Sequence, residues 1–323
     1  MDSMSSGVVS LQKLAKDKSH ILVPWSHLPI QLGAGFKSSD AKNGNPFDVP
    51  SAYSAPSLQN AAIRYSEDDG LRGLDRKASS SSSMEKSEHL SVSGGISVDC
   101  GVVAGSATGS YDKSVLENQD ATKHSSKSSI RLGTISFDST PFLNLEAQKI
   151  LRCSQAMKPV ALQRFTRKYG DYYVAGIRLG ADSSTFVSVD SASASSSETL
   201  TVHVEVRVLF WSSSWDHTEQ NVSASKSLKF NFAVFDSISQ AHDSSETPQS
   251  FARVRETIQL YSKLGDNLTR RVQDLKDRLG LHPEKLLGMT ELGEICQSGL
   301  VVELILLPFC FQRDFVAQYN RRS

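Results

Sequence analysis

Alternation between apolar and polar side chains is the feature that most constrains what this chain can fold into. The longest alternating run covers residues 90–104, and further runs cover residues 200–211 and 227–238. A period of two residues predicts β-strands with one apolar and one polar face. We therefore predict a strand over residues 90–104 that continues in small residues to Tyr111, followed by a polar loop over residues 112–129.

Other segments show weaker patterns, which predict either strands or helices. Further strands are predicted over residues 130–137, 171–180, 185–189 and 300–311. The second and third of these form either a strand pair or one long bent strand. Helices with an apolar stripe are predicted over residues 141–153, 158–168 and 251–279, and a short helix with turns over residues 281–298.

The order of these elements fixes the fold class. Strands follow one another without a helix between each pair, which argues against a doubly wound parallel sheet. An α+β fold with a mostly antiparallel sheet fits this order better. Residues 1–86 are predicted to be a poorly organised N-terminal segment, because five prolines interrupt its apolar runs and residues 78–83 (ASSSSS) are too polar to pack.

Composition excludes several classes of protein. The 35 basic residues balance the 35 acidic ones, so we expect no nucleic-acid partner. The longest apolar run, residues 299–311, contains Glu303 and Pro308 and is too short for a membrane-spanning helix. Residues 1–7 lack the basic and apolar regions of a signal peptide. The expected location is therefore the cytoplasm, or outside the cell after unconventional secretion.

The search for catalytic and metal-binding motifs gives negative expectations. The sequence contains no phosphate-binding loop and no HExxH motif. Residues 95–99 begin like a nucleophile elbow, but Asp99 stands where glycine is needed. The eight histidines lack metal-ligand spacing, and none of the four cysteines forms a CxxC pair. We expect no enzymatic activity, no cofactor and no metal.

One segment combines residue types in a distinctive order. Residues 165–180, which we call the signature segment, place a basic helix end before Tyr169-Gly170 and an aromatic strand. Gly170 suits a turn whose backbone conformation other residues avoid. Gly176 and Gly180 within the strand indicate a bend or the close approach of another element.

The signature segment resembles the signature of the membrane attack complex/perforin (MACPF) family. In that family an aromatic residue, glycine, threonine or serine, histidine and a second aromatic residue follow a short helix. Here Tyr169, Gly170 and Tyr173 match, whereas Asp171 and Tyr172 stand at the threonine/serine and histidine places. The local sequence YGDYYVAG is similar to fungal members of the family.

The resemblance implies a fold and a function. It implies a bent, twisted, four-stranded antiparallel central sheet flanked by helical clusters, over residues 87–315, with a tail over residues 316–323. In lytic, toxin-like members the helical clusters refold into transmembrane hairpins, and many copies close into a barrel. The expected partners are a lipid membrane surface and further copies of the chain, or a protein that recruits it to membranes. Tyr169, Tyr172 and Tyr173 would pack helix against sheet, unless they are ordinary core residues.

Three hypotheses remain open from the sequence. The first is a MACPF-like protein that binds membranes and forms oligomeric pores. The second is a non-lytic MACPF-like interaction or structural protein inside the cell. It is favoured by the few large apolar side chains in residues 101–129 and by the helical period of residues 251–279. The third is an unrelated α+β domain, which includes an enzyme with a site that no motif reveals.

Overall fold

The structure is a computed structural model that describes residues 10–25, 31–91, 96, 100–103, 106–153, 155–190, 192 and 228–320. The strands are β1 (Ile21–Pro24), β2 (Gly35–Phe36), β3 (Ile63–Ser80), β4 (Lys123–Phe137), β5 (Tyr172–Val189), β6 (Phe230–Asp236), β7 (Ala241–Ser244), β8 (Leu286–Leu287) and β9 (Val301–Pro308). The α-helices are α1 (Leu11–Lys16), α2 (Ala55–Asn60), α3 (Ala107–Glu117), α4 (Leu145–Leu151), α5 (Lys158–Tyr169), α6 (Phe251–Asp266), α7 (Leu268–Arg278), α8 (Met289–Gln297) and α9 (Arg313–Asn320).

A single antiparallel sheet organises the described residues. Its strands lie in the order β1-β9-β5-β4-β3-β8, while β2 pairs with the start of β5 and β6 with its end. The prediction of an α+β fold with a mostly antiparallel sheet is confirmed. The sheet has nine strands among the described residues instead of four, and its long central strands are β3, β4, β5 and β9. We call the end where β5 begins the lower end, and the end where it finishes the upper end.

The N-terminal part of the chain contributes to this sheet. β1 pairs with β9, and β3 pairs with β4 from Ile63 to Ser80, apart from an irregularity after Glu67. The prediction that residues 1–86 are poorly organised is therefore wrong for these strands, and the predicted linker at residues 78–83 begins inside β3. The sequence pattern missed β3 because residues 73–77 are exposed on both faces and show no alternation.

The described residues of the predicted first strand are not in a strand. These are residues 90, 91, 96 and 100–103; residue 96 is helical, and the others lie in turns, bends or irregular backbone. Residues 107–117, predicted as strand and loop, form α3, whose first turn is capped by the hydroxyl of Ser106. The predicted loop also contains the start of β4 at Lys123. The small residues of this segment favour neither a helix nor a strand strongly. Packing against the rest of the protein therefore decides which of the two forms.

Most other predicted elements agree with the structure. Residues 172–180 and 185–189 belong to one continuous strand, β5. Residues 130–137 form the second half of β4, and residues 300–311 contain the whole of β9. The predicted helix over residues 251–279 is two helices, α6 and α7, which meet at Asn267. The Asn267 side chain donates to the carbonyl of Lys263, which supports the break. The strand predicted over residues 200–211 lies outside the described residues.

Apolar clusters cover both faces of the sheet. Neighbouring residues of a strand point to opposite faces. At the lower end, Tyr172 enters the largest core with α1 and α7, whereas Tyr173 packs with α4, α5 and α9. At the upper end, Phe186 packs against α3, whereas Val187 packs against α6. The segments that connect the long strands therefore lie against the sheet on either side.

Candidate functional site

A sharp turn at Gly170 connects α5 to β5. Gly170 has a φ of 87° and a ψ of 175°, a combination open almost only to glycine. Its N–H donates to the carbonyl of Thr166 and ends the helix. A Cβ atom here would lie 2.3 Å from the carbonyl oxygen of Phe36 in β2. The turn therefore requires glycine both for its conformation and for the close passage of β2.

Asp171 fastens the same turn to its surroundings. One carboxylate oxygen accepts from the backbone N–H of Ser38 at 2.8 Å, and the other accepts from the Ser38 hydroxyl at 2.5 Å. The backbone carbonyl of Asp171 accepts from the N–H of Phe309 just after β9. The carboxylate thus joins the turn to the loop after β2, and the backbone carbonyl joins it to the end of β9.

The three tyrosines of the signature segment point in different directions. Tyr169 and Tyr173 enter one aromatic cluster, in which the ring centres of Tyr173 and Phe309 are 5.1 Å apart. Tyr172 points to the opposite face, where its hydroxyl donates to the carbonyl of Ser19 at 2.9 Å. Burial raises the pKa of Tyr172 to about 12. Two of the tyrosines therefore pack α5 against the sheet, and the third anchors the segment after α1.

Gly176 and Gly180 lie at irregularities in the middle of the sheet. The pairing of β5 with β9 shifts register just before Gly176, and the pairing of β4 with β5 shifts beside Gly180. A Cβ atom on Gly180 would lie 2.1 Å from the carbonyl oxygen of Ile130, and one on Gly176 would lie 3.2 Å from the methyl group of Thr134. Bulges of this kind bend a strand and increase its twist.

A buried group of ion pairs lies at the same level. The guanidinium of Arg131, which is opposite Gly180, donates to both carboxylate oxygens of Asp182 at 2.7 and 3.2 Å. Glu303 of β9 lies 3.6 Å from Arg131 and 3.3 Å from Arg178. These pairs join β4, β5 and β9 where their register changes, and so fix the central strands to one another.

Above this level the sheet surface is polar and nevertheless buried. The upper halves of β4 and β5 bury Lys123, Ser125, Lys127, Ser129, Asp182, Ser184 and Ser188. We call the connection between β3 and β4, residues 81–122, the first insert, and the connection between β5 and β9, residues 190–300, the second insert. Ser80, His89, Lys123, Ser125 and Lys127, which we call the polar seam, hold the first insert on the sheet.

The two lysines of the polar seam bind backbone carbonyls of the first insert. Lys127 donates to the carbonyls of Glu88 and Leu90, each at 2.6 Å. Lys123 donates to the carbonyl of Ser82 at 3.1 Å. Burial lowers the pKa of Lys127 to about 8. Each ammonium group is therefore solvated by peptide groups in place of water.

His89 lies in the middle of the polar seam. One ring nitrogen is 3.0 Å from the hydroxyl of Ser80, and the other is 2.8 Å from the hydroxyl of Ser125. The imidazole is fully buried, and its ring packs edge-on against Phe186. Burial, together with the charge of Lys127 and that of Lys123, lowers the pKa of His89 to about 4. The neutral imidazole is the form that this packing accommodates.

Apolar contact between the first insert and the rest of the protein has two parts among the described residues. Leu90, Ala107, Tyr111 and Val115 pack with Phe186, Ala233 and Phe235. Ile96, Cys100 and Val103 belong to the largest core. Within the insert, Asp112 accepts from the backbone N–H and the hydroxyl of Ser91 at 2.6 and 2.7 Å. Hydrogen bonds therefore dominate the attachment of residues 81–91, whereas Ile96, Cys100 and Val103 are held by apolar packing.

The described part of the second insert is attached differently. Its helix α6 buries Val254, Ile258 and Tyr261 against an apolar surface of β5 and β6. Arg271 of α7 donates to both carboxylate oxygens of Asp236 at 2.6 and 2.8 Å, and Asp236 is fully buried. An apolar stripe and a buried ion pair thus fix these two helices.

Three further observations concern metal-binding groups, membrane-spanning helices and the cysteines. Within them, no three histidine, cysteine, aspartate or glutamate side chains gather into a group that could hold a metal ion. No helix in the described ranges combines the length and the apolar character needed to cross a membrane. The four cysteines are free thiols.

The structure divides the predicted site residues between two levels of the sheet. Tyr169, Gly170, Asp171 and Tyr173 meet at the lower end, whereas Gly176 and Gly180 lie halfway along β5. The polar seam was not predicted, since its members are far apart in the sequence. Lys123 and Lys127, each two residues from Ser125 on the same face, were the only local signal of a buried polar strand.

Comparison with known proteins gives distant structural similarities only. No family profile and no curated protein matches the chain. Similar structures include stonustoxin, with 11% identity and a TM-score of 0.37 over 93% of this chain and 34% of that chain. Suilysin, a cytotoxin from Streptococcus suis, has 11% identity and a TM-score of 0.34 over 89% of this chain and 59% of that chain. A cell invasion protein with a MAC/Perforin domain from Bacteroides thetaiotaomicron has 12% identity and a TM-score of 0.26 over 64% and 46%. This chain thus spans about a third to three fifths of their lengths.

Proposed function

We propose that this chain binds membranes and assembles into an oligomeric pore, as its resemblance to the MACPF family implies. The observation that carries the proposal is a mismatch within the first insert. Residues 90–104 have the alternation of an amphipathic strand, yet the described residues among them are not in a strand. A segment whose sequence favours a strand, but which is folded in another conformation, is suited to a conformational change.

The position of the first insert fits such a change. The ladder between β3 and β4 ends at the pair Ser80 and Lys123, from which the insert leaves and returns. A hairpin formed from the insert would continue the same two strands. A membrane-spanning strand needs about 9–11 residues, and the alternating run is longer. Since every backbone group must be paired within lipid, several copies would have to close into a ring.

The attachment of the first insert also supports the proposal. Polar groups released from the polar seam can exchange their partners for water. Each hydrogen bond therefore contributes only about 0.5–1.5 kcal/mol between neutral groups, and about 1.5–3 kcal/mol where a lysine ammonium group donates. Apolar surface has no such substitute. Residues 81–91 can therefore leave the sheet at a lower cost than Ile96, Cys100 and Val103, which belong to the largest core.

Two neighbouring substitutions test the proposal. Val98→Glu places a charge on the apolar face of the alternating run, and Ser97→Glu places the same charge on its polar face. We expect Val98→Glu to abolish dye release from liposomes while sedimentation with them is retained. Ser97→Glu should release dye like the wild type. Thermal melts of both variants control for folding.

Equal dye release by both variants would refute a lipid-facing strand in residues 90–104. A wild-type protein that stays monodisperse and releases no dye would favour the second candidate, a non-lytic MACPF-like interaction or structural protein. The helical stripe of α6 and α7 favours that candidate, because the same residues in a strand would fall on both faces. Neither proposal includes a catalytic step.

A further inference from the structure

Three short helices form a layer at the lower end of the sheet. Helices α4, α5 and α9, which we call the three-helix layer, pack on one aromatic cluster beneath Tyr173. The buried face of α5 consists of Ala161, Phe165 and Tyr169. Its opposite face carries Met157, Val160, Arg164 and Arg167, at spacings of three, four and three residues. This outward stripe therefore combines apolar and basic side chains.

The three-helix layer concentrates positive charge in a chain that is neutral overall. Residues 142–169 and 309–320 contain Lys149, Arg152, Lys158, Arg164, Arg167, Lys168 and Arg313, against only Glu146 and Asp314. Glu146 pairs with Lys168, and Asp314 accepts from the backbone N–H of Leu143. Arg164 and Arg167 form no ion pair within the part of the chain that the structure describes.

Large apolar side chains stand among these charges. Phe142, Leu145 and Phe311 are exposed by 69%, 74% and 67%, and Val160 by 53%. Along α4, Leu145, Lys149 and Arg152 are all exposed at helical spacing, which repeats the mixture seen on α5. Exposed apolar groups of this size in one region mark an interaction surface.

From this combination we propose that the three-helix layer is a docking surface for membranes rich in anionic lipids. Basic side chains are attracted by anionic headgroups, and neighbouring apolar side chains enter the boundary between headgroups and acyl chains. Charge complementarity selects the anionic surface, and the exposed phenylalanine and leucine side chains favour lipid over an acidic protein. The inference rests on the membrane-binding part of the proposed function and adds the surface and the lipid class.

Docking and insertion would use different residues of the chain. The layer packs on the aromatic cluster of Tyr173, whereas Ile96, Cys100 and Val103 of the first insert belong to the largest core. The two proposals therefore have separate readouts, which are sedimentation for docking and dye release for the pore.

The test is sedimentation with vesicles of phosphatidylcholine alone and of phosphatidylcholine with 30% phosphatidylserine, where this fraction sets an anionic surface of roughly physiological charge. We expect the wild type to bind only the second kind, and more weakly as salt increases. The variant Arg164→Gln/Arg167→Gln should bind about 30-fold more weakly, because each arginine near an anionic surface contributes roughly a fivefold increase in affinity. Arg270→Gln/Arg278→Gln, which removes the same charge from the exposed side of α7, is the matched control.

Either of two outcomes would overturn the docking surface. One is equal binding of the wild type to both kinds of vesicle, or to neither. The other is unchanged binding by Arg164→Gln/Arg167→Gln, which would leave the pore proposal in place if dye release persists. Val160→Asp provides a second variant, and it should weaken binding without altering any arginine. Retention of an acidic protein in place of vesicles would assign the layer to protein recognition instead.

Discussion

Acidification is expected to release the first insert through protonation of His89. The imidazole is buried between the hydroxyls of Ser80 and Ser125, with the ammonium groups of Lys123 and Lys127 nearby and the carboxylate of Asp112 on α3. Its pKa of about 4 is lower than the ordinary value near 6.5. In the released insert, His89 would be in water and would regain that ordinary pKa.

The sign and size of the effect follow from this difference. Above pH 6.5 the ring is neutral in both states, so attachment is at full strength. As the pH falls, the released state takes up the proton first, and stability is lost between pH 6.5 and pH 4. A difference of 2.5 pKa units corresponds to about 3 kcal/mol in total. About 2 kcal/mol of this is lost between pH 7 and pH 5, which raises the open population roughly 20-fold.

Hydrogen exchange of backbone amides measures this opening. Protection of residues 84–91 and of α3, corrected for intrinsic exchange rates, should fall about 20-fold between pH 7 and pH 5. Helix α6, held by apolar contacts, serves as an internal reference. In His89→Gln the protection of the insert should become nearly independent of pH, and His242→Gln, at an exposed position, should behave like the wild type. The same pH dependence in wild type and His89→Gln would refute the reasoning.

Two further predictions concern stability in thermal and chemical unfolding. Gly170→Val should cost more than about 3 kcal/mol, because the conformation excludes β-branched residues and the new Cβ meets the backbone of β2; an unchanged melt would contradict this. Gly293→Ala, on an open helix surface, is the control and should stabilise by up to about 1 kcal/mol. Arg271→Met should cost about 3–5 kcal/mol by leaving the buried Asp236 unpaired. Arg270→Met, its exposed neighbour, should change stability by less than about 0.5 kcal/mol, and equal effects of the two would argue against a structural ion pair.

The elements that the sequence predicted best have a local physical cause. α5 and β5 are separated by Gly170, whose special backbone angles only glycine adopts easily, so the turn is visible in one residue. β9 is a continuous apolar run because it is buried among neighbouring strands. The apolar stripe of α6 matches the face that packs on the sheet. In these places local pattern and tertiary packing agree.

The elements that the sequence missed depend on contacts distant in the chain. β3 has exposed polar residues along its middle, and it is a strand because β4 pairs with it. The first insert shows the opposite conflict. The alternation of residues 90–104 favours a strand, whereas Ile96, Cys100 and Val103 pack in the largest core without forming one. His89 and Lys127 are 38 positions apart in the chain, and no spacing in the sequence brings them together. Long-range pairing therefore decides where local preference is weak.

The polar character of the upper sheet has a thermodynamic consequence. Heat-capacity changes follow the apolar area exposed to water, and exposed polar groups reduce them. Because residues 81–91 of the first insert cover mainly hydroxyl and ammonium groups, release of this segment would carry a small heat-capacity change. A van 't Hoff plot of this release should then be nearly straight, whereas unfolding of the whole sheet would give a strongly curved one. The enthalpy of release would then be nearly the same in cold and in warm surroundings.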